Sequence, residues 1–298
     1  MREPIFRGAA TALVTPFTPT GEVNYPKLGE LLDYQIDQGI DAVVILGTTG
    51  ESPTLPTDEH IDVIARAVDM VAGRIPVIAG AGSNSTAEAV DQTRRSSEVG
   101  ADAILSVTPY YNKTSQAGLV AHFRAIADAT DLPIIMYNVP SRTGLNITPE
   151  TAAELSQVDN IVGIKECNME QVGAMKRLVP EDFQFYSGED GQVIPMLAWG
   201  GSGVISVMSN VIPATTHDLV WHWLNGEHDR ARELQLSVIP LIKALFAEVN
   251  PIPVKEALNI LGFEVGQPRL PLVGPSEATR QALTDALREY GVPLRSTN

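Results

Sequence analysis

Eight short runs of β-branched and small apolar residues, each followed by a longer stretch of helix-forming composition, set the tightest limit on how this chain can fold. The runs are Ala9–Val14, Ala42–Leu46, Pro76–Ala79, Ala103–Val107, Pro133–Tyr137, Ile161–Lys165, Phe183–Tyr186 and Gly203–Met208. Strands that alternate with helices pair in parallel, and the helices then cover the outside of the sheet. Eight such units predict an α/β fold of the (β/α)8 TIM-barrel type. Helix starts agree with this reading. Thr57-Asp58-Glu59 opens one helix, Ser85-Thr86-Ala87-Glu88 reads as a capping box, and Thr148-Pro149-Glu150 places proline in a first turn. Gly39 and Gly100 stand where helices should stop. A doubly wound open sheet is the alternative. Its glycine signature is poor, because Gly80-Ala81-Gly82-Ser83-Asn84-Ser85 lacks the third glycine of a dinucleotide turn.

Past about residue 210 the strand pattern ends. Segments 213–225, 228–247, 252–261 and 276–290 read as helices, interrupted by Pro251, Pro253, Pro268 and Pro271. The expected division is a barrel over 1–225 and a C-terminal helical extension over 226–298. A chain of 298 residues accommodates one barrel of ~250 residues with an appendage.

Charge and composition remove several function classes. There are 36 acidic and 21 basic residues, for a net charge of −15. That balance argues against a nucleic-acid or anionic-membrane partner. Any anionic substrate must be drawn in by a few local cations. No apolar run approaches the ~18 residues of a membrane span. The single cysteine, Cys167, leaves no internal disulfide and fits a reducing compartment. Met1 to Ala10 lacks the apolar centre of a signal peptide, so the expected location is cytoplasmic. The five histidines, His60, His122, His217, His222 and His228, show no metal-ligand spacing, and no metal is expected. No phosphate-binding loop or serine nucleophile elbow occurs. The loop after the seventh run, Ser187-Gly188-Glu189-Asp190-Gly191, carries two carboxylates, which disfavours a phosphorylated substrate.

In a barrel the chemistry lies at the C-terminal ends of the strands. Those ends read Gly47-Thr48-Thr49-Gly50-Glu51, Thr108-Pro109-Tyr110-Tyr111-Asn112, Tyr137-Asn138-Val139-Pro140, Lys165-Glu166 and Ser187-Gly188. Strand alternation puts Lys165, Gly163 and Ile161 on one face and Val162 with Ile164 on the other. Lys165 then points into the barrel, with Gly163 leaving space beside it. A desolvated amine has a lowered pKa and, when neutral, attacks a carbonyl carbon. The competing reading is a strand-end lysine in solvent or in an internal ion pair. Tyr137 reads either as a core aromatic with a satisfied hydroxyl or as a proton shuttle beside Lys165. The Gly47-Thr48-Thr49-Gly50 turn can hold a carboxylate or be a plain connection. Arg142 can grip a carboxylate through its planar fork or be a solvated loop residue. Cys167 reads as a small core thiol.

Together these motifs, with Ser141-Arg142-Thr143-Gly144 and Gly163-Ile164-Lys165-Glu166, resemble the dihydrodipicolinate synthase family of the N-acetylneuraminate lyase superfamily. The likeness runs from about Gly8 to Pro253-Val254-Lys255-Glu256-Ala257-Leu258 and Arg269-Leu270-Pro271-Leu272. It implies a Schiff base between Lys165 and pyruvate, and condensation with L-aspartate 4-semialdehyde to 4-hydroxy-tetrahydrodipicolinate, in lysine and diaminopimelate biosynthesis. No separate cofactor is implied. Tyr137, Thr48 and Tyr111 would relay protons, with Tyr111 supplied across a subunit interface. Thr48 and Thr49 would hold the pyruvate carboxylate and Arg142 that of the second substrate, while Gly188 and Ile205 line the pocket. A homotetramer built as a dimer of dimers is implied. So is an interface site for L-lysine as inhibitor, matched by Ser52, His60, Asn84, Glu88 and Tyr110. Pro53 and Thr57 depart there from the alanine and histidine that lysine-sensitive members often carry. The same superfamily offers another pyruvate-dependent aldolase, acting on N-acetylneuraminate or a 2-keto-3-deoxy sugar acid. A barrel kept only as a structural partner would have lost its lysine, tyrosine or Gly-Thr-Thr turn, and this chain retains all three.

Overall fold

The computed structural model describes residues 4–292. Eight strands occur in it: β1 Gly8–Ala12, β2 Ala42–Ile45, β3 Val77–Gly80, β4 Ala103–Val107, β5 Ile134–Asn138, β6 Ile161–Glu166, β7 Gln184–Ser187 and β8 Gly203–Ser206. Each pairs in parallel with the next, and β8 returns to β1 with Ala10 opposite Ile205, closing the barrel. The open-sheet alternative is thereby excluded.

Side chains alternate across this wall as a strand requires. Ala10, Ala12, Ala42, Val44, Ile78, Leu105, Ile135, Tyr137, Tyr186 and Ile205 fill the interior. Val43, Ile45, Val77, Ile104, Met136, Ile164, Phe185 and Val204 pack outward against the helices. Phe6 plugs the lower end, stacked on Tyr186 with ring centroids 4.4 Å apart, and its carbonyl accepts from the Tyr186 hydroxyl at 2.8 Å. Nearby, Asp41 accepts from the Ala9 N–H, the Trp221 indole N–H and His217, tying helix Pro213–Leu224 to the foot of β1.

Three local expectations are corrected. Ile161 lies on the outer face with Ile164, because the β5–β6 register shifts between Ile134 and Ile135 and so interrupts the alternation. The room at Gly163 is already taken, since a Cβ there would sit 2.7 Å from the Gln184 carbonyl. That glycine permits β6 and β7 to approach closely and does not enlarge the space beside Lys165. Ser85 precedes helix Thr86–Glu98 without a side-chain cap. Glu88 instead accepts from the Ser83 hydroxyl, whose oxygen accepts from the Ser85 N–H. Pro149 stands in the first turn of helix Pro149–Leu155 as expected, and Thr148 caps that helix by accepting from the Thr151 N–H.

Beyond the barrel, the expected 228–247 helix is two helices, His228–Ser237 and Ile239–Leu245. Pro240 at the second position of the latter has no N–H to continue the first. Helices Ile252–Ile260 and Glu277–Tyr290 follow. The expected boundary after residue 225 falls in the turn between Leu224 and His228. Residues 293–298 of the expected extension, and the first three residues, lie outside the described residues. Side chains beyond the boundary reach back to the barrel's upper end: Gln235 donates to the Asp190 carbonyl, Asn250 to Thr49 and Lys255 to Glu51.

Candidate active site

Lys165 and Tyr137 are direct cross-strand neighbours near the C-terminal ends of β6 and β5. Both are nearly buried, at 5% and 6% exposure, and the lysine nitrogen lies 4.3 Å from the tyrosine ring centroid. Burial drives the Lys165 amine below its ordinary pKa, since an apolar wall disfavours the ammonium. Arg142 pushes the same way, while Cys167, Asp190 and Glu189 oppose it. Burial raises the pKa of the Tyr137 hydroxyl, against the lowering influence of Arg142 and Thr48 nearby. The pair therefore holds an amine biased toward its neutral form beside a phenol biased toward keeping its proton.

A cavity of about 180 Å³ opens above them, lined by Lys165, Tyr137, Thr48, Thr49, Arg142 and Gly188 among others. A second, of about 230 Å³, shares Gly47, Thr48, Tyr137 and Arg142 and continues toward Ser52 and Tyr110. The Gly-Thr-Thr-Gly turn after β2 is closed by bonds donated by the Gly50, Glu51 and Ser52 N–H groups. Thr49 is fixed by Asn250, whose amide donates to its hydroxyl at 2.9 Å. Arg142 lies in the short helix Pro140–Thr143 directly after β5. Gly188 lets the backbone run close to the lysine, because a Cβ there would meet the Cys167 sulfur and lie 3.3 Å from Lys165 Cε.

Other expected residues lie elsewhere. Ile205 is 1% exposed in the inner wall, and Val207, two residues on, lines the cavity. Tyr111 is 90% exposed, with φ +71°, and lines neither cavity. His60 is fully buried, held between the Gly80 carbonyl at 2.7 Å and the Ser52 hydroxyl at 3.5 Å. Asn84 contributes its carbonyl to the Asn112 amide. Glu88 is exposed and bonded to Ser83. Thus Ser52 joins His60 and shares a cavity with Tyr110, while neither Asn84 nor Glu88 lines that cavity. Cys167 is a half-buried thiol, pushed up to about 12 by desolvation. Among the described residues no group of three histidine, cysteine or acidic side chains could hold a metal.

Sequence reading missed Asn250 and Phe246, which line the lysine cavity from the C-terminal helical region. The only local signal was the Asn250-Pro251-Ile252-Pro253 stretch, which reads as a helix break.

The model of the dihydrodipicolinate synthetase family matches residues 5–290. The chain belongs to that family. Among relatives of the dihydrodipicolinate synthetases, the 4-hydroxy-tetrahydrodipicolinate synthase of Acetivibrio thermocellus is 55% identical over 292 residues, 98% of this chain and 100% of that one. The crystal structure of dihydrodipicolinate synthase from Aquifex aeolicus superposes with a TM-score of 0.95 at 46% identity, covering 98% and 100% of the two chains. That of the enzyme from Cyanidioschyzon merolae with lysine bound gives 0.95 at 42% identity, covering 97% and 100%.

Proposed function

We propose that this chain joins pyruvate to L-aspartate 4-semialdehyde through an imine on Lys165, giving 4-hydroxy-tetrahydrodipicolinate in lysine and diaminopimelate biosynthesis. It is an enzyme of the lyase class, in a family that works by a covalent Schiff base with pyruvate and no external cofactor. The observation that carries the reading is the buried Lys165 amine opposite Tyr137 at one cavity.

The Lys165 lone pair adds to the pyruvate ketone carbon, and loss of water from the carbinolamine leaves the imine. The imine withdraws electrons, so the pyruvate methyl releases a proton to give an enamine. The enamine carbon attacks the aldehyde carbon of the second substrate. The substrate amine then adds to the former ketone carbon, and the Lys165 amine departs as the ring closes. Tyr137, which lines the cavity with Thr48, supplies and removes protons at the carbinolamine. Thr48 and Thr49 take the pyruvate carboxylate, Arg142 that of the semialdehyde, and Gly188 and Ile205 shape the pyruvate end.

Tyr111 would complete the proton relay of a neighbouring subunit within a homotetramer. Its 90% exposure and outward placement support this, and sedimentation of the wild type beside a Tyr111→Phe variant checks it. L-lysine is proposed as an inhibitor near Ser52, His60, Asn84, Glu88 and Tyr110, and unchanged activity in millimolar lysine would remove it. The single free cysteine supports work in the cytoplasm.

The deciding experiment is incubation with pyruvate and borohydride, then peptide mapping. Reduction should fix one adduct per chain, on Lys165. A panel pairing pyruvate with aspartate semialdehyde, N-acetylmannosamine and short sugar aldehydes separates this reading from the sugar-acid aldolases. Turnover only with the latter would overturn it.

A further inference from the structure

Directly behind the Tyr137–Lys165 pair lies a second pair with no part in the chemistry above. The next residues on the two strands, Asn138 and Glu166, are also opposite each other in register. Alternation turns them away from the barrel interior, and both are fully buried. The Asn138 amide donates to both Glu166 carboxylate oxygens, at 2.8 and 3.0 Å. Gln171 donates to Oε2 at 2.9 Å, and the Asn168 N–H to Oε1 at 2.7 Å. Asn138 is itself held, because its Oδ1 accepts from the Ile147 N–H at 2.9 Å. None of Asn138, Glu166 or Gln171 lines the lysine cavity.

A carboxylate at this position is expensive. Burial pushes Glu166 up to about 7, although Asn168, Gln171 and Asn138 all donate to it. The ladder already joins β5 to β6 without side-chain help, and an apolar pair would fill the same layer without the desolvation penalty. What the buried polar pair adds is direction. Its bonds fix the lateral offset and twist of two strand ends, and it links them to the segment after β6 and to the stretch leading into helix Pro149–Leu155. The residues so fixed are immediate chain neighbours of the lysine and the tyrosine.

We propose that the Asn138–Glu166 latch positions the reacting pair, holding the Lys165 nitrogen against the Tyr137 ring at the geometry needed for carbinolamine formation and breakdown. Glu166 is a positioning residue that acts through Lys165 and touches no substrate. The inference rests on the imine reading above.

Glu166→Gln sets an amide N–H against the Asn138 amide, and the pair Asn138→Asp with Glu166→Gln restores a donor facing an acceptor. The measurement is the rate of borohydride-trapped imine formation per trappable Lys165, together with the trappable fraction and the thermal transition. Glu166→Gln should slow the rate per site by roughly 10- to 100-fold, the scale of an ångström-level misplacement, and the double variant should recover about tenfold of it. A merely structural role lowers the trappable fraction and the thermal transition but leaves the rate per site at the wild-type value, and that result overturns the proposal. Gln171→Ala removes one donor at the half-buried rim and keeps the strand-to-strand bonds. It should slow the rate per site about threefold, and a wild-type rate there overturns the proposal if Glu166→Gln does not fold. No adduct on Lys165 in the unaltered enzyme overturns the imine reading and the latch with it. An adduct there, with unaltered rates in the variants, overturns the latch alone.

Discussion

Arg142 donates to the backbone carbonyl of Asn250 at 3.4 Å, so the cation expected to receive the second substrate leans on the C-terminal helical region as well as on β5. Asn250 also holds Thr49, which lines the same cavity, at 2.9 Å. Arg142→Ala should lower kcat/KM for aspartate semialdehyde by about 10- to 100-fold, the loss expected for a hydrogen bond to a charged group. Borohydride trapping of pyruvate should change much less. Equal losses in the two assays would make the arginine a scaffold for Asn250.

Removing the Tyr137 hydroxyl tests the relay. Tyr137→Phe should retain the ring beside Lys165 and cut turnover by ~10²–10⁴, the range of a positioned general acid–base. Single-turnover imine formation should slow with it. A variant working at the wild-type rate would mean that the hydroxyl takes no part in the proton transfers.

The lysine amine attacks only when neutral, and burial lowers its pKa from the ordinary 10.5. The rate of imine formation should therefore rise with pH and level off below pH 10.5. A pre-steady-state pH profile reads this directly. A limb at 10.5 or above would place the amine in a water-like setting.

The strand pattern made the barrel legible because eight runs with helical crossovers admit few closures. The strand-end motifs made Lys165, Tyr137, Thr48, Thr49, Arg142 and Gly188 legible, and the structure gathers all six at one cavity. Ile161 went to the wrong face because strict alternation cannot register a shift that arises between two strands. The break before Ile239 was signalled by Pro240, whose missing N–H forbids an uninterrupted helix. Asn250, Phe246 and Lys255 were invisible as site or core partners because each meets groups far away in the sequence, and no local spacing encodes such a meeting.

Lys255 and Glu51 form a buried pair at 2.7 Å, with side-chain exposures of 1% and 0%. The ammonium also donates to the Thr15 carbonyl and lies 4.2 Å from the Phe17 ring centroid. Lys255→Met leaves the Glu51 carboxylate without its cation and should destabilise the fold by about 3–5 kcal/mol. Urea unfolding would show this as a lower midpoint. Adding Glu51→Gln should recover much of the loss, because the stranded charge is then gone.

His217 gives a pH signature at the base of the barrel. Its hydrogen bond to Asp41 raises its pKa above the ordinary 6.5, against the effect of partial burial. A raised histidine lends stability that is fully present below its unfolded value and lost as pH climbs through its folded one. The thermal transition of the wild type should therefore lie furthest above that of His217→Gln at pH 6, with the gap closing as pH rises. A gap independent of pH from 6 to 9 would show that the Asp41 contact does not depend on protonation.

The Glu51–Lys255 pair also bears on synthesis. A ribosome that has delivered all eight strands has still not delivered the cation that neutralises Glu51, nor the amide that steadies Thr49. A nascent barrel could close its ring of strands and yet carry a bare negative charge beside its Gly-Thr-Thr-Gly turn. Its mouth would become complete only as the last fifth of the polypeptide left the exit tunnel, so truncation in that stretch should disable the catalyst more severely than its distance from Lys165 in the sequence suggests.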